Sequence, residues 1–295
     1  TATLEVTAAA LRSLTLSPSN PAAAKGTTQR FTATGTFSDG TVQDVTASAD
    51  WAVMDLTGSG VASIDATGTA LAESVGQARV SAEYLGQVVQ TTLTVTPAAV
   101  VSLAITPLAP AIAKGTTQQF VATAHLTDGS DQDVSASAAW TAADVAGSGV
   151  AAVDASGLAK GNAVGSASIS CAYQGFTATT MLVVKPAALV AIAITPAAAT
   201  LAKGLSQAFK LVASYTDGST QDATTSAVWS AADVMGSDVT SIGADGVALA
   251  KNLGQARLKA EHMGKTASAT LTVTAAVLTS LTVTPSSPAL AVGAT

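Results

Sequence analysis

Residues 31–51 read FTATGTFSDGTVQDVTASADW, and the stretch returns as FVATAHLTDGSDQDVSASAAW at 120–140 and FKLVASYTDGSTQDATTSAVW at 209–229. Each copy opens on a Phe, turns at Asp-Gly and closes on a Trp. Asp-Gly between alternating apolar and polar residues is a hairpin signal, because Gly tolerates positive φ and Asp bonds its own backbone. Phe31-Thr32-Ala33 alternates at period two, as do Leu14-Thr15-Leu16 and Leu93-Thr94-Val95. The β-branched Thr and Val favour a half-buried pleated surface. Ala is abundant, yet the pattern is that of strands.

Working outward, the step between copies is 89 residues everywhere. It links Pro18, Pro107, Pro196 and Pro285, then Lys25, Lys114 and Lys203, then Gly76, Gly165 and Gly254. Such a fixed period marks a repeat architecture. Residues 1–10 align with the end of a repeat and 278–295 with the start of one. The expected organisation is a repeat tail at 1–10, repeats at 11–99, 100–188 and 189–277, and the start of a further repeat at 278–295. The chain reads as a window on a longer array.

In the first repeat, strands are expected near 11–17, 28–38, 41–46, 49–54, 61–65, 69–72, 77–84 and 87–96. Turns are expected at Ser38-Asp39-Gly40, at Asp65-Ala66-Thr67-Gly68 and at Leu85-Gly86. Seven or eight short strands in one repeat describe a two-sheet antiparallel sandwich. The fold class is therefore all-β, tandem immunoglobulin-like sandwiches arranged as a rod. Trp51, Trp140 and Trp229 are expected at the centres of the cores, with Phe31, Phe120 and Phe209 packed near them.

Composition narrows the function. Thirteen basic residues stand against nineteen acidic ones, without a basic cluster, so nucleic acid binding has no electrostatic footprint. No apolar run reaches the ~18 residues of a membrane helix. One cysteine, Cys171, permits no intrachain disulfide. It aligns with Ala82 and Ala260 and is expected to point into the core.

The residues also carry a resemblance. The order of motifs is FTATGTFSDGTVQDVT, the Trp51 strand, VASIDATGTALAESVGQARVSAEY and TTLTVT. It is similar to the bacterial Ig-like domain of group 2. The stretch AVMDLTGSG after Trp51 is longer than that family's short turn, and Gly243 replaces the hairpin Asp of the other repeats (Asp65 and Asp154). The resemblance implies surface display, as in stalks of intimin-like and invasin-like adhesins, repeat adhesins and surface layers. It carries no catalytic residues, and none is expected here.

A search for chemistry finds no cofactor or metal site. His125 and His262 fall at non-equivalent repeat positions. Asp39, Asp44 and Asp55 recur in all three repeats, and Asp128-Gly-Ser-Asp131-Gln-Asp133 resembles a calcium loop, but no glutamate closes it. These aspartates are read as turn and strand-edge residues that cap backbone amides, and Lys25, Lys114 and Lys203 as surface turn lysines. Pro97 and Pro186 stiffen two seams, while 274–277 lacks a Pro. Each module is expected to span about 40 Å, and three about 120 Å.

Charge drifts among the repeats, from four basic and seven acidic residues to three and five, then six and six. That favours a spacer over a repeated charged-ligand site. The expected role is a non-catalytic stalk of a bacterial extracellular or cell-surface protein. Its partners are the neighbouring repeats, with any host or surface receptor met by regions outside this chain. Two alternatives stand beside it: homotypic assembly into a filament or surface layer, and direct glycan or receptor binding through Tyr84, Tyr173 and Phe176.

Overall fold

The computed structural model describes residues 8–276, 278 and 280–284, so the expected partial repeats at 1–10 and 278–295 lie mostly outside the described residues. The first repeat folds into ten strands: β1 (Leu11–Ser17), β2 (Ala22–Ala24), β3 (Thr28–Arg30), β4 (Thr32–Phe37), β5 (Val42–Asp44), β6 (Asp50–Thr57), β7 (Ala62–Ile64), β8 (Thr69–Ala72), β9 (Gly76–Tyr84) and β10 (Gln87–Thr96). The same ten recur from Val100–Thr106 to Phe176–Lys185 and from Leu189–Thr195 to Lys265–Thr274. Among the described residues there is no α-helix, only single 3-10 turns such as Thr46–Ser48.

Each repeat builds one four-stranded sheet, in the order β2-β10-β9-β6, and two three-stranded sheets, β1-β4-β5 and β3-β8-β7. The expected continuous strand at 28–38 is two strands. Phe31 is the corner between them, donating its N–H to Gly68 O at 2.8 Å while β3 pairs with β8 and β4 with β1. The short strand β2 escapes the sequence pattern, having only three residues, all Ala. It pairs parallel to β10 and is the one departure from an antiparallel sandwich.

Two apolar clusters fill the first repeat. Phe31, Val61, Ala70 and Ala72 meet Ala78, Val80, Leu93 and Val95 of the large sheet. Ala33, Phe37, Val45 and Ala49 meet Ala82. Many of these side chains are Ala, so the sheets approach closely and the Phe supplies the bulk. Phe31, Phe120 and Phe209 are fully buried. The tryptophans are not the centres. Trp51, Trp140 and Trp229 are half-buried, because each indole N–H must reach a turn carbonyl, Thr46 O, Ser135 O or Thr224 O, at 2.8–2.9 Å. Trp51 does pack beside Phe31, with ring centroids 6.5 Å apart.

Candidate functional site

The aspartates act on backbone amides. Asp39 accepts Thr41 N–H at 3.0 Å and Asp44 accepts Thr46 N–H at 2.9 Å. Asp55 holds the long loop after β6, accepting Gly60 N–H at 2.7 Å and Val61 N–H at 3.0 Å. Asp144 and Asp233 repeat that arrangement. Where Gly243 replaces the hairpin Asp, Asp245 accepts Val247 N–H instead. Their hydroxyl and amide donors hold Asp39, Asp44, Asp133, Asp154 and Asp222 below the usual carboxylate value. Among the described residues no group of three acidic, His or Cys side chains is placed to hold a metal ion.

The lysines do more than stand on a turn. Lys25 donates its backbone N–H to Thr96 O at 2.9 Å and Gly26 donates to Ala72 O at 2.7 Å, which fixes the turn at the exit end of the first repeat. From there Lys25 Nζ reaches Asp128 Oδ2 of the second repeat at 2.9 Å. Lys114 reaches Asp217 of the third repeat at 3.1 Å in the same way. The carboxylates are largely covered, with side chains 14% and 12% exposed, whereas the lysines remain about 40% exposed.

Three further hydrogen bonds close each seam. Thr127 donates its hydroxyl to Lys25 O at 2.6 Å, accepts Ala99 N–H at 3.0 Å and donates its own N–H to Ala99 O at 2.8 Å. One threonine thus ties the exit-end turn of one repeat, the connecting chain and the entry-end hairpin of the next. Thr216 does the same with Lys114 and Ala188. Gly26 and Gly115 make room for it. A Cβ on Gly26 would lie 2.3 Å from Asp128 Cα, and one on Gly115 would lie 2.3 Å from Asp217 Cα. Gly204, at the equivalent place in the third repeat, meets none of the described residues within 4 Å, and Lys203 bonds Asn252 Oδ1 at 3.1 Å.

Asp128 is held down to about 2, first by the Ser130 hydroxyl and then by Lys25. Asp217 is held to about 2 by Ser219 and then by Lys114. An amide between these partners would need a neutral amine and a neutral acid. The depressed pKa keeps each carboxylate ionised, so the acid that an amide would require is not supplied and the contact is an ion pair.

Other candidates fall elsewhere. His125 Nδ1 contacts Asp131 on an exposed hairpin, and His262 lies near Ser226. Tyr84 and Tyr173 pack partly buried against the cores and Phe176 is half-buried, so none is a free stacking platform. Cys171 is 1% exposed, and burial pushes its thiol pKa up. One surface feature recurs in register. Leu56 and Val75, Val145 and Val164, and Val234 and Leu253 are 40–58% exposed at the bulged end of the large sheet in each repeat.

Residues 99–181 match the family model described as bacterial Ig-like domain (group 2). Over 290 residues, 97% of its length, the chain is 39% identical to "Ice-binding protein 1" of Shewanella frigidimarina (strain NCIMB 400), and it spans about a third (32%) of that protein. Among solved structures it superposes on the S-layer protein rSbsC(31-844) at 14% identity and a TM-score of 0.33, covering 90% of this chain and 40% of that one. It also superposes on Sidekick-1 immunoglobulin domains 1-5 at 11% identity and a TM-score of 0.33, covering 92% and 60%. At such scores these two likenesses carry no functional weight.

Proposed function

Because residues 99–181 match the bacterial Ig-like domain (group 2) family model, inside a run of three alike repeats, we propose that the chain is a stiff, non-catalytic spacer of a bacterial extracellular or cell-surface protein. The observation that carries the reading is the twice-built seam, in which a Lys, a Gly and the next repeat's Thr and Asp interlock in the same geometry. The repeats are proposed to occupy 11–99, 100–188 and 189–277. A flexible tether would be rich in Gly and Ser and leave the joints free. Here each joint is short and hydrogen-bonded on both sides.

The relative named for ice binding is about three times as long as this chain. We therefore assign the repeats the role of distance, in a protein of that kind whose ice-contacting part lies outside them. The test is partition during slow growth of polycrystalline ice. The array alone is expected to be excluded from the ice, and its incorporation would overturn the assignment.

A second reading, lateral association of two copies, is favoured by the recurring aliphatic pairs such as Val145 and Val164. Their spacing along the array equals the repeat, so a second copy matches all of them at once. Sedimentation equilibrium across a concentration series decides it. A strictly monomeric chain removes this reading and leaves the spacer intact.

A further inference from the structure

The parallel pairing of β2 with β10 is not equally long in the three repeats. Ala22–Ala24 register with Thr94–Thr96, and Ala111–Ala113 with Val183–Lys185, three residues each. In the third repeat Ala198–Ala202 register with Thr270–Thr274, five residues. The ladder between the first and fourth strands has six registered residues in every repeat. The ladder between the last two strands has nine. Of these three ladders, only the parallel one differs.

The cause is legible in single residues. Pro21 and Pro110 stand where the third repeat has Ala199. Proline has no N–H to give to a ladder. The preceding Asn20 and Ala109 take φ of 49° and 47°. Their N–H groups bond the side-chain hydroxyls of Thr91 and Thr180 on the last strand at 2.8 and 2.9 Å, so at this point side chains stand in for the backbone ladder. In the third repeat Ala269 stands in place of that threonine, and Ala198 and Ala199 continue the backbone ladder instead.

Topology decides what this pairing does. The start of β1 lies beside the start of β10, since Leu11 O accepts from Gln87 Nε2 at 3.3 Å. The chain leaves at Thr96, the far end of β10. A pull on the two ends therefore draws β1 and β2 one way and β10 the other, along the strand axis. The parallel ladder lies across that displacement and is loaded in shear, all its bonds together. We infer that this ladder is the clamp that resists tension and that the third repeat is the last to yield. The inference rests on the spacer reading only for the presence of tension.

The experiment is to pull the full chain between its ends in an optical trap and read the force of each unfolding step, which reports the unfolding barrier. Three steps of equal contour length are expected, two at similar force and one higher. Ala199→Pro should bring the highest step level with the other two. Should that variant lose a step because the third repeat no longer folds, the reverse change decides. N20A/P21A/T91A copies the third repeat's residues into the first and should give two high-force steps. Three equal forces in the wild type would overturn the inference. So would a high step that persists in a fully folded Ala199→Pro chain, or a reverse variant without a second high step. Flexible seams in solution would instead remove the spacer reading and leave the order of rupture standing.

Discussion

Lys25 Nζ stands 2.9 Å from Asp128 Oδ2 although 103 residues separate them, and Lys114 and Asp217 repeat the contact at 3.1 Å across the next seam. Each lysine belongs to the turn between the second and third strands, at the exit end of one repeat, and each aspartate to the hairpin between the fourth and fifth strands, at the entry end of the next. The joint is thus made of secondary structure on both sides. Bending it requires separating two fixed turns, not extending a linker.

Glycine at the joint is the sharpest point of that geometry. Gly26→Ala and Gly115→Ala put a methyl carbon into the Asp128 and Asp217 backbone. Among the described residues Gly204→Ala meets no neighbour within 4 Å, which leaves the strain of its φ of 90°. All three lose comparable stability to strain, but only the first two should increase the spread of inter-repeat angles. Distances between spin labels on adjacent repeats would report it. Equal spread in all three variants would contradict the packing.

Acid acts on the same joint. A carboxylate with a depressed folded-state pKa contributes its stabilisation above its unfolded value, and loses it as pH falls through the folded value. For Asp128 and Asp217 the window runs from 3.8 down to about 2. The seams should be unchanged from pH 7 to about pH 4 and loosen below it. In a Lys25→Ala/Lys114→Ala chain they should be looser at neutral pH. Salt at 1 M, where the screening length is about 3 Å, should move the wild type toward that variant. Scattering curves across the pH and salt series check both.

Core damage should stay local. Phe120 is fully buried at the corner between two strands, and Phe120→Ala should cost about 3–5 kcal/mol. Stability in a repeat array is a sum of repeat and nearest-neighbour contributions. Denaturant unfolding should therefore lose one of three repeats early, with the other two near their original midpoint. A uniform shift of the whole transition would show that the repeats unfold as one unit.

Cys171 offers a site-specific reporter of the second repeat. Being 1% exposed and held in the thiol form by burial, it should resist a thiol-reactive probe at neutral pH. Labelling should begin only as that repeat opens in denaturant, and earlier in the Phe120→Ala chain. Rapid labelling of the native chain would contradict the packing.

Much of this molecule was readable before its coordinates. Strand alternation, the Asp-Gly turns and the 89-residue step lead to the all-β repeat, and turn aspartates follow from their spacing to Thr and Ser. Three features were not readable. Strand β2 is three alanines without a polar alternation, so only its neighbour β10 identifies it. The chain breaks at Phe31 because two sheets claim the residues on either side, which no local pattern shows. The role of Lys25 was hidden because its partner lies in the following repeat. The signal was present all the same, since Lys25 and Lys114 recur at the step, as do Asp128 and Asp217, and only contact across the seam turns that register into a pair.

The most direct test of the interlocked seam is small-angle X-ray scattering of the wild-type chain beside the Gly26→Ala/Gly115→Ala variant at neutral pH. A single extended form with a maximum dimension of about 120 Å is predicted for the wild type, from strands of ~3.3 Å per residue stacked end to end. The variant should require a mixture of bent forms. A wild-type curve that itself requires such a mixture, indistinguishable from the variant's, would contradict the account.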